Sequence, residues 1–537
     1  MISDQLRVEV QEWIDNDPDK ETAKQLSDWL KEGNSNELER CFSGFLQFGT
    51  AGLRGPIGPG PSCMNRAVVS RTATGIVEFM KKKQLTSVVI GRDARHGSDQ
   101  FMQDSAEIFS GAGIKTYVLP RALPTPVLAF AINKLKVDVG IMVTASHNPA
   151  TDNGYKVYLG GVVDGVNYHG SQIIPPVDTE ISNLIAEANK NPARSQDIQT
   201  VDESVIDDYI SSVAALSTSE NNLKVVYTPL HGVGAETFIE VFKRARFASP
   251  ILVSEQVVPD PNFPTTPFPN PEESGSMDMA LEYAKKNKAD VVIANDPDAD
   301  RCAIAVVNPQ GLWQVLRGDE IGVLLGDYLI KKSTASNTAI ANSLVSSSLL
   351  GKIANKHRLK FEETLTGFKW ISKIDNLLFG YEEALGYCVD QKNVNDKDGI
   401  SAALILVQMV NELKTRGQSI FDYLEKLGSE YGFHRTDQIS IRVTNLNEID
   451  ELLKKVTTTP PQTLLNNALK SYENLSESKV MPTIGVRLNY ENGVRVIIRP
   501  SGTEPKIKCY IEVISSTKNE AENLISQIKQ ALTKVLT

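Results

Sequence analysis

Four short apolar runs constrain the fold of this chain more than any other feature. Each run is followed by a loop of glycine, proline or small polar residues and then by sequence with helical periodicity. The runs are 87–90, 139–143, 224–227 and 290–294. This alternation predicts α/β domains with largely parallel strands, in which ligands gather at the carboxyl ends of the strands. Functional residues are therefore expected in the loops that follow these runs.

The length of the chain requires several domains. A chain of 537 residues exceeds what one hydrophobic core supports, and we expect four domains. A polar stretch near 189–200 and the turn sequence Asn308-Pro309-Gln310-Gly311 mark the first two expected boundaries, and a third is expected near 427–435. The predicted fold has three α/β domains with mixed, largely parallel sheets, at 1–195, 196–309 and 310–430, and a C-terminal α+β domain at 431–537.

Both ends of the chain show further periodicity. Apolar residues at helical spacing in the first 40 residues, interrupted at Asp17-Pro18, predict two helices packed on the first domain. Near the C-terminus, 438–443 and 494–498 are typical of strands, and a terminal helix is expected from about Lys518. This mixture is what an α+β domain requires.

Composition excludes several classes of protein. Hydrophobic residues make up 41% of the chain, and no apolar run approaches the ~18 residues that a membrane span needs. The N-terminus has no hydrophobic signal-peptide core, so a cytoplasmic protein is expected. The net charge of -10 disfavours nonspecific nucleic-acid binding but permits an anionic small substrate at a locally basic site. Five cysteines without C-x-x-C spacing argue against a disulfide framework and a zinc site.

A candidate nucleophile, Ser146, lies in the segment Thr144-Ala145-Ser146-His147-Asn148-Pro149. This segment directly follows the apolar run 139–143, so the serine is expected at the end of a strand, where it can carry a phosphoryl group. Taken alone, such a serine is more often a turn former or a helix cap. Lys156, ten residues later, could move a proton at the reacting hydroxyl if its pKa is lowered.

Three aspartates follow the apolar run 290–294, in Asp296-Pro297-Asp298-Ala299-Asp300. On an extended loop their alternation would turn all three carboxylates to one side, and a cation would relieve their repulsion. Hard oxygen ligands suit Mg²⁺, whereas an EF-hand is excluded because Arg301 and Val307 occupy its glycine and glutamate positions. The alternative is a solvated acidic turn. Arg301 could hold a phosphate, or pair with one of the aspartates.

The C-terminal third contains further candidate binding residues. Arg499-Pro500-Ser501-Gly502-Thr503-Glu504-Pro505-Lys506 combines cations, hydroxyls and a glycine, which predicts a phosphate cradle, although a plain turn would also use these residues. The segments 366–369 and 380–386, with Thr366 and Glu382, are interpreted as loops that could read sugar hydroxyls. Lys397 is a further candidate, and its alternative role is pairing with the acids on either side.

Taken in order along nearly the whole chain, these motifs resemble those of the α-D-phosphohexomutase superfamily, the phosphoglucomutases and phosphomannomutases. The matching motifs are Gly49-Thr50-Ala51-Gly52-Leu53-Arg54-Gly55, the serine loop, the aspartate triplet, the glutamate loop and the C-terminal phosphate loop. The resemblance implies four domains arranged around a central cleft and an active form phosphorylated on Ser146.

The resemblance also implies a role for each candidate residue. One Mg²⁺ per chain would be held by Asp296, Asp298, Asp300 and a phosphate oxygen on Ser146. The group expected near the transferring phosphoryl group is Arg54, His147 and Lys156, with Lys156 as general acid/base. The residues expected to bind substrate are Arg301, Thr366, Glu382, Lys397, Arg499, Ser501, Gly502, Thr503 and Lys506.

One departure from the family pattern bears on the substrate. The glutamate loop of the family reads G-E-E-S-G or close to it, whereas this chain has Ala384 at the serine position. A site that pairs a sugar hydroxyl discriminates strongly, so this loss weakens an ordinary hexose specificity. The altered loop resembles the branch that contains phosphopentomutases and glucose-1,6-bisphosphate synthases. Phosphoglucomutase or phosphopentomutase activity is therefore expected, with phosphomannomutase or bisphosphate synthase as alternatives.

The predicted reaction passes through a sugar bisphosphate, and glucose 1,6-bisphosphate or a related bisphosphate is the expected activator. Phosphorylated Ser146 would donate to a sugar phosphate, and the bisphosphate would return its other phosphate. Two other classes remain as alternatives: a Mg²⁺-dependent sugar phosphatase and a catalytically silent sensor. Kinase motifs are absent from the sequence. The expected partners are small sugar phosphates, with no nucleic acid or membrane, for a monomer or dimer.

Overall fold

The computed structural model describes residues 2–49, 52–189, 191–443, 446–479, 481–500 and 506–536. The chain forms two compact units. The first contains Met1–Ala305 and Gly386–Gln408, and the second contains Val306–Leu385 and Met409–Thr537. Within the described ranges, no helix is both long enough and apolar enough to cross a membrane.

Helices and strands alternate along most of the chain. The helices are α1 (Asp4–Asn16), α2 (Lys20–Glu32), α3 (Ser35–Cys41), α4 (Arg66–Lys83), α5 (Ser98–Gly111), α6 (Thr125–Leu135), α7 (Val177–Ala186), α8 (Glu203–Ala214), α9 (Gly234–Arg244), α10 (Asp278–Asn287), α11 (Gly318–Lys332), α12 (Leu349–Lys356), α13 (Phe368–Ile371), α14 (Gly399–Thr415), α15 (Ile420–Tyr431), α16 (Leu446–Thr458) and α17 (Lys518–Leu536). The strands are β1 (Leu53–Pro56), β2 (Ser87–Arg92), β3 (Lys115–Val118), β4 (Val139–Val143), β5 (Asp152–Leu159), β6 (Val162–Val163), β7 (Val166–Asn167), β8 (Ser171–Gln172), β9 (Ile198–Thr200), β10 (Val225–Thr228), β11 (Ile251–Leu252), β12 (Val291–Asn295), β13 (Cys302–Val307), β14 (Trp313–Val315), β15 (Ala339–Ser343), β16 (Lys360–Thr364), β17 (Leu377–Glu382), β18 (Gly386–Cys388), β19 (Phe433–Arg442), β20 (Thr463–Leu464), β21 (Asn467–Asn474), β22 (Val486–Tyr490), β23 (Val494–Pro500) and β24 (Lys506–Ser515).

The first unit is built on two mixed sheets. The first sheet has the order β1-β5-β4-β2-β3-β9, with parallel pairing from β4 to β9 and antiparallel pairing at β1, β5 and β4. In the second sheet, β11, β10 and β12 are parallel and β13 is antiparallel to β12. The four apolar runs are β2, β4, β10 and β12, as predicted, and β4 and β12 are buried along their whole length.

The first sheet extends past the expected domain boundary at residue 195. Its edge strand β9 pairs in parallel with β3, with Thr116 opposite Ile198 and Val118 opposite Thr200. A three-residue strand of mixed polarity gives no clear period, which is why the sequence pattern alone does not reveal it.

The N-terminal arm contains three helices, so the prediction of two was wrong. Gly33, with φ 73°, ends α2, and the Asn34 side chain caps a further short helix by accepting a hydrogen bond from the Glu37 N–H. One buried residue from each helix, Val10, Leu26 and Leu38, joins a common cluster. The seven residues of α3 are too few to show a helical period in the sequence.

The second unit contains a parallel sheet and an antiparallel one. β15 lies between β16 and β17 and is parallel to both. The antiparallel sheet has the order β19-β24-β23-β22-β21-β20, and α17 packs on β19 and β24. Val496, Ile511 and Ile528 belong to the core under this helix. This arrangement confirms the predicted α+β character of the C-terminal region, which follows three α/β assemblies in the chain.

Candidate functional site

The serine loop and a neighbouring loop leave one edge of the first sheet together. β2 and β4 are parallel neighbours, with Arg92 opposite Val143. The loop that begins at Asp93 and the loop that begins at Thr144 therefore emerge side by side. The aspartate loop follows β12 of the other sheet, and a hydrogen bond from Ser146 to Asp296 joins the two loops within the first unit.

Ser146 occupies a strained and enclosed position. It is 1% exposed, and its φ of 53° lies in the left-handed region, which non-glycine residues adopt at an energetic cost. The Ser146 N–H donates to Thr144 Oγ1 at 2.9 Å. The Ser146 hydroxyl donates to Asp296 Oδ2 at 2.6 Å and lies 3.2 Å from His147 Nδ1. The hydroxyl is thus aimed at the aspartate triplet.

The aspartate triplet lies in a tight turn, so the prediction of an extended loop was wrong. The Ala299 N–H donates to the Asp296 carbonyl at 2.9 Å, and Ala299 has a φ of 54°. Pro297 stands at the second position of this turn, where its fixed φ is favourable. The three carboxylates still converge, since each offers an oxygen within 4.8 Å of the others.

The triplet forms a site that could hold a metal ion. All three aspartates are buried, and Asp298 Oδ1 and Asp300 Oδ1 have no hydrogen-bond partner among the described residues. Buried carboxylate oxygens without partners cost free energy, which a divalent cation bound to hard oxygen ligands would relieve. Burial and the charges of Asp298 and Asp300 raise the pKa of Asp296 well above its usual range. The donor set therefore fits a cation.

Two lysines lie against the triplet. Lys156 Nζ donates to Asp298 Oδ2 at 2.7 Å and to Asp300 Oδ2 at 2.8 Å. Lys397 Nζ lies 3.2 Å from Asp300 Oδ2 and 3.4 Å from Asp396 Oδ1. Burial alone would lower the pKa of Lys156, but the Asp298 and Asp300 carboxylates outweigh it and raise that pKa. Lys156 is thus an ammonium in this arrangement, and the lowered pKa considered from sequence is not found.

Arg54 and Arg301 bring positive charge to the site, and His147 lies beside the serine. Arg54 contacts the serine loop, because its Nη1 donates to Asn148 Oδ1 at 3.4 Å. Burial, together with the nearby Arg301 and Arg54 charges, lowers the pKa of His147 well below its usual value, so the ring is neutral at pH 7. Arg301 Nε lies 3.9 Å from Asp300 Oδ1. These two guanidinium groups suit a phosphate despite the acidic chain.

Two residues of the site, Arg95 and Thr125, were not identified from the sequence. Arg95 donates hydrogen bonds to carbonyl oxygens of the serine loop, including Ser146 O at 2.6 Å. The Thr125 hydroxyl donates to Asp298 Oδ2 at 2.6 Å, and its N–H donates to the Asp298 carbonyl at 2.9 Å. The signal for Arg95 was present, because this residue lies in the loop that follows the apolar run 87–90. Thr125 gave no comparable signal.

Thr366 and Glu382 lie in the second unit. Glu382 is the last residue of β17 and therefore does not lie in a loop, contrary to the prediction for 380–386. Its Oε1 accepts a hydrogen bond of 2.7 Å from the Gly367 N–H. Thr366 precedes this glycine between β16 and α13, so the structure brings these two predicted residues to one place.

The predicted phosphate loop also belongs to the second unit. Arg499 lies near the end of β23 and Lys506 begins β24, and these strands pair antiparallel with Pro500 opposite Ile507. Arg499 Nε is buried and has no hydrogen-bond partner among the residues that the structure describes. Ser501, Gly502 and Thr503 lie outside the described residues.

Comparison with known proteins finds one family along the chain. Family models for phosphoglucomutase/phosphomannomutase match in order. The models of α/β/α domains I, II and III match residues 46–192, 207–310 and 317–431, and the model of the C-terminal domain matches residues 439–530. Among solved structures, a Paramecium phosphoglucomutase, pp63/parafusin in the open form, has a TM-score of 0.68 and 18% identity, covering 89% of this chain and 93% of its own. That likeness is one of fold.

Curated relatives are more similar in sequence. A Haemophilus influenzae protein named "Probable phosphomannomutase" is 44% identical over 88% of this chain and 98% of its own length. The human phosphopentomutase is 35% identical over 98% of this chain and 95% of its own length. A Staphylococcus haemolyticus phosphoglucomutase is 34% identical over 88% of this chain and 91% of its own.

Proposed function

Because this chain belongs to the phosphoglucomutase/phosphomannomutase family and is a phosphosugar mutase, we propose that Ser146 carries the phosphoryl group that it transfers. The transfer would link position 1 with position 5 or 6 of a sugar phosphate. The observation that supports this most directly is the 2.6 Å hydrogen bond from the Ser146 hydroxyl to Asp296, at the edge of the buried carboxylate triplet. This bond joins a nucleophile to a set of residues that could bind a metal ion.

The proposed reaction has two balanced transfers. In the first, the bond between phosphorus and Ser146 Oγ breaks, a bond forms between phosphorus and the free hydroxyl oxygen of the sugar phosphate, and Ser146 Oγ takes up a proton as that hydroxyl gives one up. In the second, the bond between the other phosphoryl group of the bisphosphate and its sugar oxygen breaks, a bond forms to Ser146 Oγ, and that sugar oxygen takes up a proton as the serine hydroxyl gives one up. Positioning and charge neutralisation provide most of the rate in such reactions.

The residues around Ser146 suit these transfers. Asp296, Asp298 and Asp300 would hold Mg²⁺, which supplies positive charge to the phosphoryl oxygens when bound. Arg54 and Arg301 add cations, and the ammonium of Lys156 is the proposed proton donor. Asp296 accepts a hydrogen bond from the Ser146 hydroxyl.

A further group of residues is proposed to hold the rest of the sugar phosphate. Arg499, Lys506 and the segment between them, with Ser501, Gly502 and Thr503, are proposed to bind the phosphate that does not react. Glu382 and Thr366 are proposed to read sugar hydroxyls. A fixed phosphate-binding group would let the site accept two orientations of the bisphosphate, because either sugar hydroxyl could then face the serine.

For the substrate class, we favour pentose 1-phosphates together with glucose 1-phosphate. Ala384 replaces the hydroxyl residue of the glutamate loop, which reduces discrimination by one sugar hydroxyl. Relatives aligned over almost the whole chain include the human phosphopentomutase and a Saccharomyces cerevisiae phosphoribomutase at 33% identity. A sugar bisphosphate, such as glucose 1,6-bisphosphate, is the proposed activator.

The test compares four substrates with Mg²⁺ and a trace of bisphosphate present. Ribose, deoxyribose, glucose and mannose 1-phosphates are assayed for isomerised product and for free phosphate. We expect isomerisation, with kcat/KM for at least one pentose phosphate at or above that for mannose 1-phosphate. Release of free phosphate in place of isomerised sugar would identify a phosphatase and overturn the proposed cycle.

A further inference from the structure

Arg95 makes an unusually complete set of contacts with the serine loop. This residue is 4% exposed. Nη2 donates to the Ser146 carbonyl at 2.6 Å and to the Asn148 carbonyl at 2.5 Å. Nη1 donates to the Pro149 carbonyl at 2.7 Å and to the Asp152 carbonyl at 3.1 Å. One guanidinium therefore binds both ends of the loop that presents the serine.

These contacts are made to the part of the loop that needs support. The left-handed backbone of Ser146 carries an energetic cost, so surrounding contacts must hold it in place. The Ser146 N–H has Thr144 Oγ1 as its partner, and the Ser146 carbonyl has Arg95. With both backbone polar groups fixed, the side chain must leave the loop in the direction of Asp296.

Arg95 is itself held in place. Its Nε lies 3.3 Å from Asp93 Oδ2, and its N–H donates to Asp93 Oδ1 at 3.0 Å. Ser98 Oγ also donates to Asp93 Oδ1, at 2.7 Å, and the Phe263 ring lies 4.9 Å from the guanidinium carbon. A planar guanidinium with several fixed donors suits this task, whereas a lysine ammonium could reach only part of the carbonyl set.

We propose that Arg95 is a positioning residue for phosphoryl transfer, which fixes the backbone of residues 146–152 so that Ser146 Oγ faces Asp296. The inference rests on the proposed role of Ser146 as phosphoryl carrier. Arg95 acts through the loop and not on the sugar, so its loss affects transfer and leaves sugar binding nearly unchanged. A small misplacement of a reacting group is enough to lower the rate about 10²-fold.

The test uses Arg95→Lys in the full chain, with kcat, KM and phosphoserine occupancy measured alongside amide hydrogen exchange. We expect kcat to fall about 10²-fold while KM for the sugar 1-phosphate changes less than about 2-fold. Exchange at residues 146–152 should accelerate while β2 and β4 keep their protection. The fraction of Ser146 phosphorylated by added bisphosphate should fall in parallel.

Arg66→Lys is the matched control. Arg66 forms a two-bond pair with Asp104, at 2.7 and 2.9 Å, in the same unit and without a hydrogen bond to the described serine loop. Its substitution should cost similar stability and leave kcat of the folded enzyme unchanged. If Arg95→Lys does not fold, Asp93→Asn is used in its place. This variant retains Arg95 but removes the carboxylate that anchors the guanidinium, so a smaller loss of kcat is expected.

Unchanged kcat in the folded Arg95 or Asp93 variant would overturn the inference, as would a loss equal to that of Arg66→Lys. Ser146→Ala separates this result from the proposed function. If Ser146→Ala retains activity, the serine is not the carrier and the proposed cycle fails. If Ser146→Ala is inactive while Arg95→Lys is fully active, only the positioning role fails.

Discussion

The hydroxyl of Ser146 donates a 2.6 Å hydrogen bond to Asp296, a carboxylate 150 residues away in sequence. Asp296 is buried, and both its burial and the charges of Asp298 and Asp300 raise its pKa well above the usual range. The hydrogen bond from the serine acts in the opposite direction, because it favours the ionised form of Asp296 and lowers its pKa. A cation or a phosphoryl group at the serine would change the charge balance of the whole triplet.

Replacement of Ser146 by alanine is expected to reduce mutase turnover at least about 10³-fold, because no other hydroxyl donates to Asp296 among the described residues. Turnover is measured with glucose 1-phosphate and added bisphosphate. Ser182→Ala, which removes a hydroxyl that donates to the Asp178 carbonyl within α7, is the control and should retain full activity. Retention of more than a few per cent of activity by Ser146→Ala would contradict its role as carrier.

Substitution of Asp298 by asparagine should weaken Mg²⁺ binding, because it removes one of three converging carboxylates. Mg²⁺ is expected to raise the Tm of the wild type through preferential binding to the folded state. In Asp298→Asn the same rise should need at least about 10-fold more Mg²⁺. The measurement is thermal unfolding over a Mg²⁺ titration after EDTA treatment, with Asp278→Asn, an exposed aspartate of α10, as control. Identical titrations for the variant and the wild type would count against the triplet.

The strand ends that carry the site could be predicted from sequence because their residues are close together in the chain. β4 and β12 are uniformly buried apolar runs, and the polar residues follow each run directly. That local pattern is sufficient to indicate Ser146 and the aspartates. Contacts between distant loops leave no such pattern, so the carbonyl partners of Arg95 could not be predicted from sequence.

Local backbone geometry also limited what could be predicted from the sequence. Alternation of Asp296, Asp298 and Asp300 predicted convergence on an extended loop, and convergence is found, but through a turn stabilised by the Ala299 N–H. Short elements such as α3 and β9 were missed because three to seven residues do not establish a period. The pKa of Lys156 could not be read from sequence, since it depends on two carboxylates more than 140 residues away.

Replacement of Lys156 by methionine should destabilise the metal-free protein by about 3 kcal/mol, because buried Asp298 and Asp300 lose their shared cation. Mg²⁺ should restore part of this loss by replacing the missing positive charge. Urea unfolding with EDTA and with Mg²⁺ measures both effects. Lys134→Met, which breaks an exposed pair with Asp208, should cost less than about 1 kcal/mol and show no Mg²⁺ dependence beyond that of the wild type. Equal losses for Lys156→Met with and without Mg²⁺ would refute the expected compensation.

Asp319 should make stability depend on pH in the second unit. Burial raises the pKa of this carboxyl from 3.8 to about 6, so the folded state holds a proton that the unfolded state releases. Its contribution is therefore fully present below about pH 4 and is lost as pH rises through about 6. Asp319→Asn stays neutral and keeps an oxygen for the Tyr381 hydroxyl and the Ser347 N–H.

Relative to the wild type, Asp319→Asn should therefore gain roughly 1 to 2 kcal/mol between pH 5 and pH 7.5. Urea unfolding at the two pH values gives the difference. The exposed Asp99, in the first turn of α5, provides the control Asp99→Asn, which should not show this gain. A constant gap between Asp319→Asn and the wild type at both pH values would show that Asp319 does not titrate in this range.

Substitution of Gly232 by alanine should displace the aspartate turn. A Cβ at Gly232 would lie 2.3 Å from Pro297 Cα and 2.4 Å from the Pro297 carbonyl oxygen, and backbone atoms cannot move aside cheaply. The Val233 N–H also donates to that carbonyl at 2.8 Å, so a displacement of the backbone at Gly232 would also displace Pro297 in the aspartate turn. We expect kcat to fall about 10-fold and the Mg²⁺ concentration for half-maximal activity to rise. Gly161→Ala is the control because nothing lies within 4 Å of its Cβ. Matching Mg²⁺ titrations for the two variants would show that the turn does not depend on this close contact.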